Sequence, residues 1–375
     1  MKLRTAVFFG ITWLVLVSLT FAAQNDINFR QDVFTAGQDG YHTYRIPAMV
    51  ITNQGTVLVF CEGRKISASD AGNIDLLLKR SENGGRDWSE QIVVHEEQGD
   101  AAITIGNPCP IIERDSNNIH LLFTRNNKSL FYTKSVDDGL TWSSPNEISK
   151  ILKDFDYPLV RCGTGPVHGI QMKNGRLIAT IWVNDCEVKD KEKNPTKSRY
   201  QAGIIYSDDS GVTWKTGGLA PANLNRLNEC TVVERLDGSL LLNMRAYHSG
   251  FRAISTSPNG GITWSKPILD KNLPCPTCQA SMIHASGSEI LFLNPAASKE
   301  GKFLGASRRN LTLRLSLDEG RTWSHNRVIN QGAAGYSDLA ITDKGGILCL
   351  FENGVKNYRE KISIVEVNRA WLVAN

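Results

Sequence analysis

The chain has 375 residues, of which 41% are hydrophobic and 21% are charged, and this is the balance of an ordinary soluble globular protein. The formal net charge of +4, without a basic stripe interleaved with aromatic residues, argues against a nucleic-acid-binding protein. The length exceeds that of a usual single domain, so we expect either two domains or one large domain built from repeats.

The first predicted element is a leader segment at the N-terminus. Lys2 lies in a short basic start, residues 6–19 are almost all apolar, and small residues follow before residue 24. This order is typical of a secretory signal peptide, so we expect residues 1–22 to be removed. The alternative is an uncleaved anchor, but the apolar run is short for a membrane span. We therefore expect the mature chain, residues 23–375, to be secreted or periplasmic and to have no membrane span.

Short apolar runs rich in Val, Ile, Leu and Phe recur along the rest of the chain, and most follow a turn that contains Gly or Asn. This pattern is typical of strands joined by hairpins. Six such runs lie at residues 55–63, 118–126, 175–183, 238–246, 288–296 and 345–353. No long stretch of helical periodicity follows the leader, so the sequence predicts an all-β protein.

One turn sequence of the form S-x-[DN]-x-G-x-[TD]-W occurs five times. Its tryptophans lie between 50 and 72 residues apart, at Trp88, Trp142, Trp214, Trp264 and Trp323. In such a turn the Asp or Asn accepts backbone N–H bonds, the Gly adopts a positive φ, and the Trp buries a large apolar face. Because the carboxylates are committed to the backbone, we expect these boxes to be scaffold and the chemistry to lie elsewhere.

Repeats of this length indicate a radial array or a solenoid. Six turn-and-strand units over roughly 350 residues give roughly 60 residues per unit, which predicts a six-bladed β-propeller with four-stranded antiparallel blades. We expect a single domain over residues 23–375. Its sixth blade would be closed by pairing of residues 361–370 with N-terminal material near residues 29–34.

The combination of these boxes with the segment Arg45-Ile46-Pro47 resembles the exo-sialidase (neuraminidase) family of the bacterial and animal type. The resemblance covers essentially the whole mature chain. It implies a glycoside hydrolase that releases terminal sialic acid from sialylated glycans, such as glycoproteins, gangliosides and oligosaccharides.

Sialic acid carries a carboxylate on its anomeric carbon, and arginine offers a planar fork that stays protonated. The family uses three arginines for this group, and Arg45 and Arg245 match the first two. Arg308 matches the third, with Arg309 as the open alternative. We prefer Arg308 because the family's arginine stands three residues before the first apolar residue of the next strand, which here is Leu311.

A carboxylate nucleophile would be repelled by the substrate's own carboxylate, whereas a neutral phenol would not. Sialidases are a known exception among glycosidases in using a tyrosine. Tyr336, in the segment G-Y-S-D-L, matches that nucleophile, and Glu229, in N-E-C, matches the base that takes its proton. The short separation of Glu229 and Arg245 predicts that both lie on one hairpin.

Asp70 lies in a loop rich in Gly and Ser and matches the acid/base of the family, which protonates the leaving oxygen and then activates water. Asp75 is the competing aspartate, but it falls inside the next predicted strand. Arg64 matches an additional arginine of the pocket, and Glu352 matches a carboxylate that braces Arg45.

Two further segments resemble family motifs of the pocket and its rim. They contain Asn107 with Pro108, and His168, which we expect to be a packing or hydrogen-bonding residue and not a base. Cys275 and Cys278 form the only close cysteine pair, which is weak evidence for zinc. We expect most of the eight cysteines to be small buried hydrophobic residues.

The sequence thus predicts a monomeric, retaining exo-α-sialidase that forms a tyrosine-linked intermediate and needs no metal or organic cofactor. Two alternatives remain open. A trans-sialidase or intramolecular trans-sialidase would share the site and add aromatic side chains at the mouth of the pocket. A non-catalytic sialic-acid-binding propeller should lack one of Asp70, Tyr336 and Glu229 or place them apart. The preferred linkage stays undetermined.

Overall fold

A computed structural model describes residues 27–374 apart from 98, 100, 187–198, 225, 248 and 297–307. The predicted leader, residues 1–22, lies outside the described residues. The described part is built almost entirely of strands, with one short 3-10 helix at Ser149–Asp154 and one short α-helix, α1, at Arg369–Val373. No helix among the described residues is long and apolar enough to cross a membrane.

Three sheets are simple four-stranded antiparallel sheets whose strands pair in chain order. The first contains β2 (Thr43–Ile51), β3 (Val57–Arg64), β4 (Ile74–Ser81) and β5 (Ile92–His95). The second contains β6 (Ile105–Ile112), β7 (Ile119–Arg125), β8 (Ser129–Ser135) and β9 (Asn146–Glu147). The other simple sheet contains β15 (Leu227–Glu234), β16 (Leu240–Ala246), β17 (Phe251–Ser257) and β18 (Ile268–Pro274).

In chain order, a sheet with a divided inner strand lies between the second sheet and the sheet that starts with β15. The inner strand is divided because two short strands both pair with β12. Its strands are β10 (Arg161–Thr164), β11 (Ile170–Gln171), β12 (Leu177–Asn184), β13 (Tyr200–Ser207) and β14 (Lys215–Leu219).

The largest sheet has seven strands in the order β1-β24-β23-β22-β21-β20-β19. Its strands are β1 (Ile27–Thr35), β19 (Ser281–His284), β20 (Ile290–Pro295), β21 (Arg309–Ser316), β22 (His325–Ile341), β23 (Ile347–Gly354) and β24 (Lys361–Val367). The long strand β22 changes partner at Ala333, which pairs with Arg309 of β21 on one side and with Gly354 of β23 on the other.

The sheets are arranged in a closed ring around a common axis. β2 contacts β6, β6 contacts β12, β12 contacts β15, β15 contacts β19, β19 contacts β22, and β22 returns to β2. The fold is therefore all-β and propeller-like. The expected closure by the chain ends is confirmed, because β1 pairs with β24, with Phe29 opposite Glu366 and Phe34 opposite Ile362.

The five boxes connect the third and fourth strands of their units, and the first Ser and the Asp or Asn of each box form hydrogen bonds within the turn. In the second box the Ser135 hydroxyl accepts from the Gly139 N–H at 2.9 Å, and Asp137 accepts from the Thr141 N–H at 2.9 Å. Trp142 packs edge-on against Phe60 of the preceding sheet, with ring centroids 5.6 Å apart. The boxes thus fasten turns and join neighbouring sheets, as a scaffold role requires.

Candidate active site

A polar cavity of about 280 Å³ is lined by residues from all of the sheets. Seven of the eight predicted site residues line it directly, and Glu352 lies immediately behind them. The lining comprises Arg45, Ile46, Glu62, Arg64, Asp70, Asn107, Asn127, Arg161, Trp182, Tyr200, Asn228, Glu229, Arg245, Tyr247, Arg308, Tyr336, Tyr358 and Arg359.

A shared irregularity of four inner strands builds this cavity. In β2, β6, β15 and β22, two residues oppose one residue of the neighbouring strand. Such a bulge breaks the alternation of side chains and turns them to a new direction. The bulged pairs contain Ile46, Asn107, Glu229 and Tyr336, so the same backbone device delivers the predicted nucleophile and base.

Proline suits two of these bulges. Ile46 and Asn107 have φ values of 60° and 58°, which are uncommon for residues with a side chain, and each is followed by a proline. Proline has no N–H to leave unpaired where the ladder is interrupted. The segment R-I-P therefore supports the bulge in β2 as well as supplying Arg45.

Glu352 organises this end of β2. Its carboxylate accepts from the Arg45 guanidinium at 2.7 and 3.2 Å, from the Ile46 N–H at 2.9 Å and from the Tyr336 N–H at 3.0 Å. Arg45 is only 3% exposed, so its charge is buried but paired. Glu352 thus fixes Arg45 and the backbone of Tyr336 together, which is the bracing position predicted for it.

Asp70 lies in the loop between β3 and β4 and reaches the cavity from one side. Its side chain is 80% exposed, and its Oδ1 lies 2.8 Å from Arg64 Nη1 and 3.4 Å from Arg45 Nη1. Partial desolvation raises the pKa of Asp70, but the charges of Arg64 and Arg45 outweigh it and hold the pKa below its usual value.

Glu62 is a buried partner that the sequence prediction missed. It accepts from Arg64 Nη2 at 2.7 Å and from the Asn107 N–H at 3.2 Å. Burial raises the pKa of Glu62, while Arg64 opposes this rise. Glu62 and Arg64 are two apart on β3 and so share a face, and this spacing could have identified the pair from the sequence.

Tyr336, Glu229 and Arg245 form a tight buried group. The Tyr336 hydroxyl donates to one oxygen of Glu229, and Arg245 donates to the other. Arg245 Nη1 also lies 3.0 Å from the Tyr336 hydroxyl. Burial and then the charge of Glu229 raise the pKa of Tyr336 well above its usual value, against the opposing charges of Arg245 and Arg308. The phenol is therefore neutral at neutral pH.

Arg308 lines the cavity, whereas Arg309 is exposed at the start of β21 and does not. The Arg308 guanidinium donates to the Thr277 carbonyl at 3.0 Å and to the Tyr358 hydroxyl at 3.3 Å. Among the residues that the structure describes, no carboxylate pairs with Arg308. Its charge is therefore available to an anionic ligand.

The competing residues lie elsewhere. Asp75 is buried on β4, where it accepts from the Tyr41 hydroxyl at 2.6 Å, and it does not line the cavity. His168 is also buried outside the lining, and its Nδ1 lies 2.6 Å from Asp338. Burial lowers the pKa of His168, but Asp338 outweighs it and raises the pKa. The predicted hydrogen-bonding role of His168 agrees with this geometry.

The sequence analysis also did not identify Tyr358. It lies in the turn between β23 and β24, and its ring faces the guanidinium carbons of Arg45 at 5.2 Å and of Arg308 at 5.1 Å. A tyrosine in a polar turn carries no local signal of such a contact. The ring packs between two of the predicted clamp arginines and helps to hold both in place.

Aromatic side chains form another wall of the cavity. The rings of Trp182 and Tyr200 are 5.8 Å apart, and those of Tyr200 and Tyr247 are 5.9 Å apart. Trp182 is 7% exposed and Tyr200 is 4% exposed, so neither offers an open face to solvent.

Comparisons with known proteins agree with this fold and cavity. A family model described as a BNR repeat-like domain matches residues 55–349. A sialidase of Micromonospora viridifaciens is 30% identical over 91% of this chain and 54% of the relative, and a sialidase of Bacteroides fragilis is 30% identical over 90% and 65%. This chain thus spans about half to two thirds of the length of these relatives.

Among solved structures, the Hadza microbial sialidase Hz136 superposes with a TM-score of 0.79 at 27% identity, over 92% of this chain and 69% of that one. The propeller-like ring of sheets and its arginine-lined cavity indicate the class of protein to which this chain belongs. The chain belongs to the BNR repeat-like domain family, and the resemblance to exo-sialidases expected from its sequence is confirmed.

Proposed function

We propose that this protein is a retaining exo-α-sialidase that hydrolyses terminal sialic acid from glycoconjugates. The observation that carries the proposal is the buried hydrogen bond from the Tyr336 hydroxyl to Glu229, in the same cavity as three arginines from separate strands or strand ends. A neutral phenol beside a carboxylate base suits attack on a carbon that already bears a negative group.

Arg45, Arg245 and Arg308 would clamp the substrate's carboxylate. Each offers N–H donors on a planar fork that stays protonated. Arg45 and Arg245 are paired with Glu352 and Glu229, whereas among the described residues Arg308 donates to a carbonyl and a hydroxyl and has no carboxylate partner. Arg308 therefore offers a positive charge to the substrate's carboxylate.

Asp70 would act as the general acid and then as the base. It must be protonated when the glycosidic bond breaks, although Arg64 and Arg45 favour its ionised form. The carboxylate of a bound sialoside would offset the charge of Arg45 and so ease protonation of Asp70. Arg64 matches the additional pocket arginine of the family and would set the position of Asp70.

The reaction would then run in two balanced steps. Glu229 takes the proton of Tyr336, the phenolate oxygen forms a bond to the anomeric carbon, and the leaving oxygen takes a proton from Asp70. Water then gives a proton back to Asp70 and replaces the tyrosine oxygen, which recovers its proton from Glu229. Two displacements retain the anomeric configuration.

We also infer the organisation of the whole chain. β22 pairs with β21 over its first half and with β23 over its second half, so the seven-stranded sheet supplies two four-stranded blades and the ring has six. Residues 1–22 would be a signal peptide and residues 23–375 a single catalytic domain. The protein would be a secreted or periplasmic monomer that meets sialylated glycans.

We favour hydrolysis over transfer to a sugar acceptor because most of the aromatic wall is buried. A stacking platform for an acceptor needs an exposed ring face; Trp182 and Tyr200 are buried, and Tyr247 is half-buried. The presence of Asp70, Tyr336 and Glu229 around one cavity also disfavours a purely binding propeller.

The test is release of the fluorophore from an umbelliferyl α-sialoside, followed by NMR of the first sugar product. We expect release of free sialic acid that appears first as the α-anomer. Absence of release by the folded protein would contradict the proposed activity, and first appearance of the β-anomer would contradict the tyrosine-linked mechanism. A product other than free sialic acid would point to transfer.

A further inference from the structure

Two cations of the cavity, Arg161 and Arg359, are left without a role in the proposed mechanism, and Arg359 is the more exposed of the two. Arg359 lines the cavity and is exposed, and it lies in the turn between β23 and β24. Among the described residues, its guanidinium has no carboxylate partner and lies 5.5 Å from the ring centre of Tyr358. Arg45, Arg64 and Arg245 are by contrast each paired with a buried carboxylate.

The turn that carries Arg359 is ordered by its own acidic residue. Glu360 accepts from the backbone N–H groups of Val355, Lys356 and Asn357 at 2.9, 2.8 and 2.9 Å. This carboxylate is therefore bound to the backbone of the turn and, among the described contacts, does not form an ion pair with Arg359. The backbone N–H of Arg359 donates to the Asn357 side chain at 2.8 Å, so the backbone of Arg359 is held in place.

Arg359 and Asp70 line the same cavity. A general acid has to touch the glycosidic oxygen, so the leaving sugar lies next to Asp70. The charge of Arg359 acts on Asp70, after those of Arg64 and Arg45, in lowering its pKa. Of these three lining cations, Arg359 is the exposed one, and Arg45 and Arg64 are buried.

We propose that Arg359 makes the enzyme favour substrates whose leaving sugar carries a negative charge. This inference rests on the proposed sialidase function. The group recognised would be a carboxylate, as in an α2-8-linked second sialic acid, or a sulfate, as in a sulfated galactose. An exposed guanidinium held on an aromatic ring is suited to either, because both anions accept two parallel N–H bonds.

The experiment compares initial kcat/KM values for three substrates. They are 3′-sialyllactose, 3′-sialyllactose with a 6-sulfate on its galactose, and α2-8-linked disialyllactose. We expect the ratio of an anionic to the neutral substrate to fall about threefold in Arg359→Ala, as for a partly exposed ion pair. The same ratio in the wild-type enzyme should fall as sodium chloride is added.

Lys356→Ala is the matched control, because Lys356 is an exposed cation of the same turn that does not line the cavity. Its ratios should equal those of the wild type. A drop for both anionic substrates supports recognition of charge, and a drop for one alone assigns the carboxylate or the sulfate. Unchanged ratios in Arg359→Ala overturn the inference while leaving the sialidase proposal intact, whereas no cleavage of any substrate overturns the proposal itself.

Discussion

Tyr336 can act as a nucleophile only if its proton leaves along the hydrogen bond to Glu229. The hydroxyl is buried, its pKa is raised by burial and by that carboxylate, and Arg245 lies 3.0 Å away to stabilise negative charge as it forms. The phenol thus stays neutral until an electrophilic carbon is in place. In the proposed mechanism, proton transfer to Glu229 would coincide with attack, which would keep a free phenolate from building up.

Removing this hydroxyl should abolish turnover without removing the fold. We expect Tyr336→Phe to lower kcat for the umbelliferyl sialoside by about three orders of magnitude, because the nucleophile is lost. Tyr41→Phe is the matched control, since Tyr41 also donates to a buried carboxylate, Asp75, but outside the cavity. Steady-state kinetics and thermal melts of both variants make the comparison, and comparable activity of the two would contradict the assignment.

The environment of Asp70 predicts a pH dependence. Arg64 and Arg45 hold the pKa of Asp70 below its usual value, so the proton that Asp70 would donate is lost at a lower pH than from an ordinary aspartic acid. We expect kcat/KM to rise toward acidic pH. In Arg64→Gln the pKa of Asp70 should increase, so the alkaline limb of the profile should move to higher pH.

Lys65→Gln controls for the loss of a nearby charge, because Lys65 pairs with Asp75 and Glu96 and not with Asp70. Its limb should stay where the wild-type limb lies. Profiles of kcat/KM against pH, with melts to verify folding, provide the measurement. A limb that stays or moves to lower pH in Arg64→Gln would show that Asp70 is not the acid.

The sequence analysis identified site residues that stand in motifs. It missed Tyr358, which contacts the site only because the ring of sheets closes. Arg308 could be chosen over Arg309 because the strand that follows fixes the spacing, and the structure places Arg308 in the cavity. Tyr358 is separated from Arg45 by most of the chain, and their contact depends on closure of the ring. No pattern in the local sequence indicates a contact between residues so far apart in the chain.

At the scale of elements, the boxes show how a short turn can stabilise a sheet without entering the chemistry. In the third box Asp209 accepts from the Thr213 N–H at 2.8 Å and from the Ser207 hydroxyl at 2.7 Å. Hydrogen bonds from the Thr213 side chain and backbone, and from Ser207, lower the pKa of Asp209 to about 2. The ionised carboxylate is thus the form that the turn prefers.

Asp209→Ala should therefore cost stability and leave kcat unchanged. We expect a loss of about 1 kcal/mol in the free energy of unfolding near pH 7, as for other side-chain caps. The depressed pKa means that this contribution is complete above the ordinary value of 3.8 and is lost as the pH falls toward about 2. Urea unfolding at several pH values measures it.

Asp115→Ala serves as the comparison, because Asp115 is an exposed aspartate outside the boxes. Its unfolding free energy should match that of the wild type across the same range. A large fall of kcat in Asp209→Ala, with the fold retained, would instead place this box in the catalytic machinery.

The six predicted apolar runs are confirmed as β3, β7, β12, β16, β20 and β23, since hydrophobic runs bounded by turns report local structure directly. Two features of the sheets were not predictable in the same way. The division of an inner strand into β10 and β11 and the change of partner along β22 depend on neighbouring strands that are distant in sequence.

At the scale of the whole molecule, the ring is held shut by its two ends. β1 and β24 pair over seven residue pairs, and Phe34 of β1 is 1% exposed within a core shared with β2, β3 and β23. The sequence analysis expected this pairing as the closure of the sixth blade. The closing strand is thus part of the core as well as part of a sheet.

Truncation of the closing strand's core side chain should destabilise the entire domain. We expect Phe34→Ala to lower the free energy of unfolding by about 3–5 kcal/mol, as for other buried aromatic residues. Ile27→Ala, on the same strand but 36% exposed, should change it by less than about 0.5 kcal/mol. Equal effects of the two substitutions in denaturant titrations would show that β1 does not contribute its core face.

The pairing of β1 with β24 also sets an order of events during synthesis. The ribosome delivers Ile27 long before Val367, yet these residues oppose each other in the finished sheet. A growing chain must therefore keep β1 without its partner until β24 has emerged. The candidate cavity, whose lining includes residues of β2 and β22, belongs to a ring that closes only after translation has passed β24.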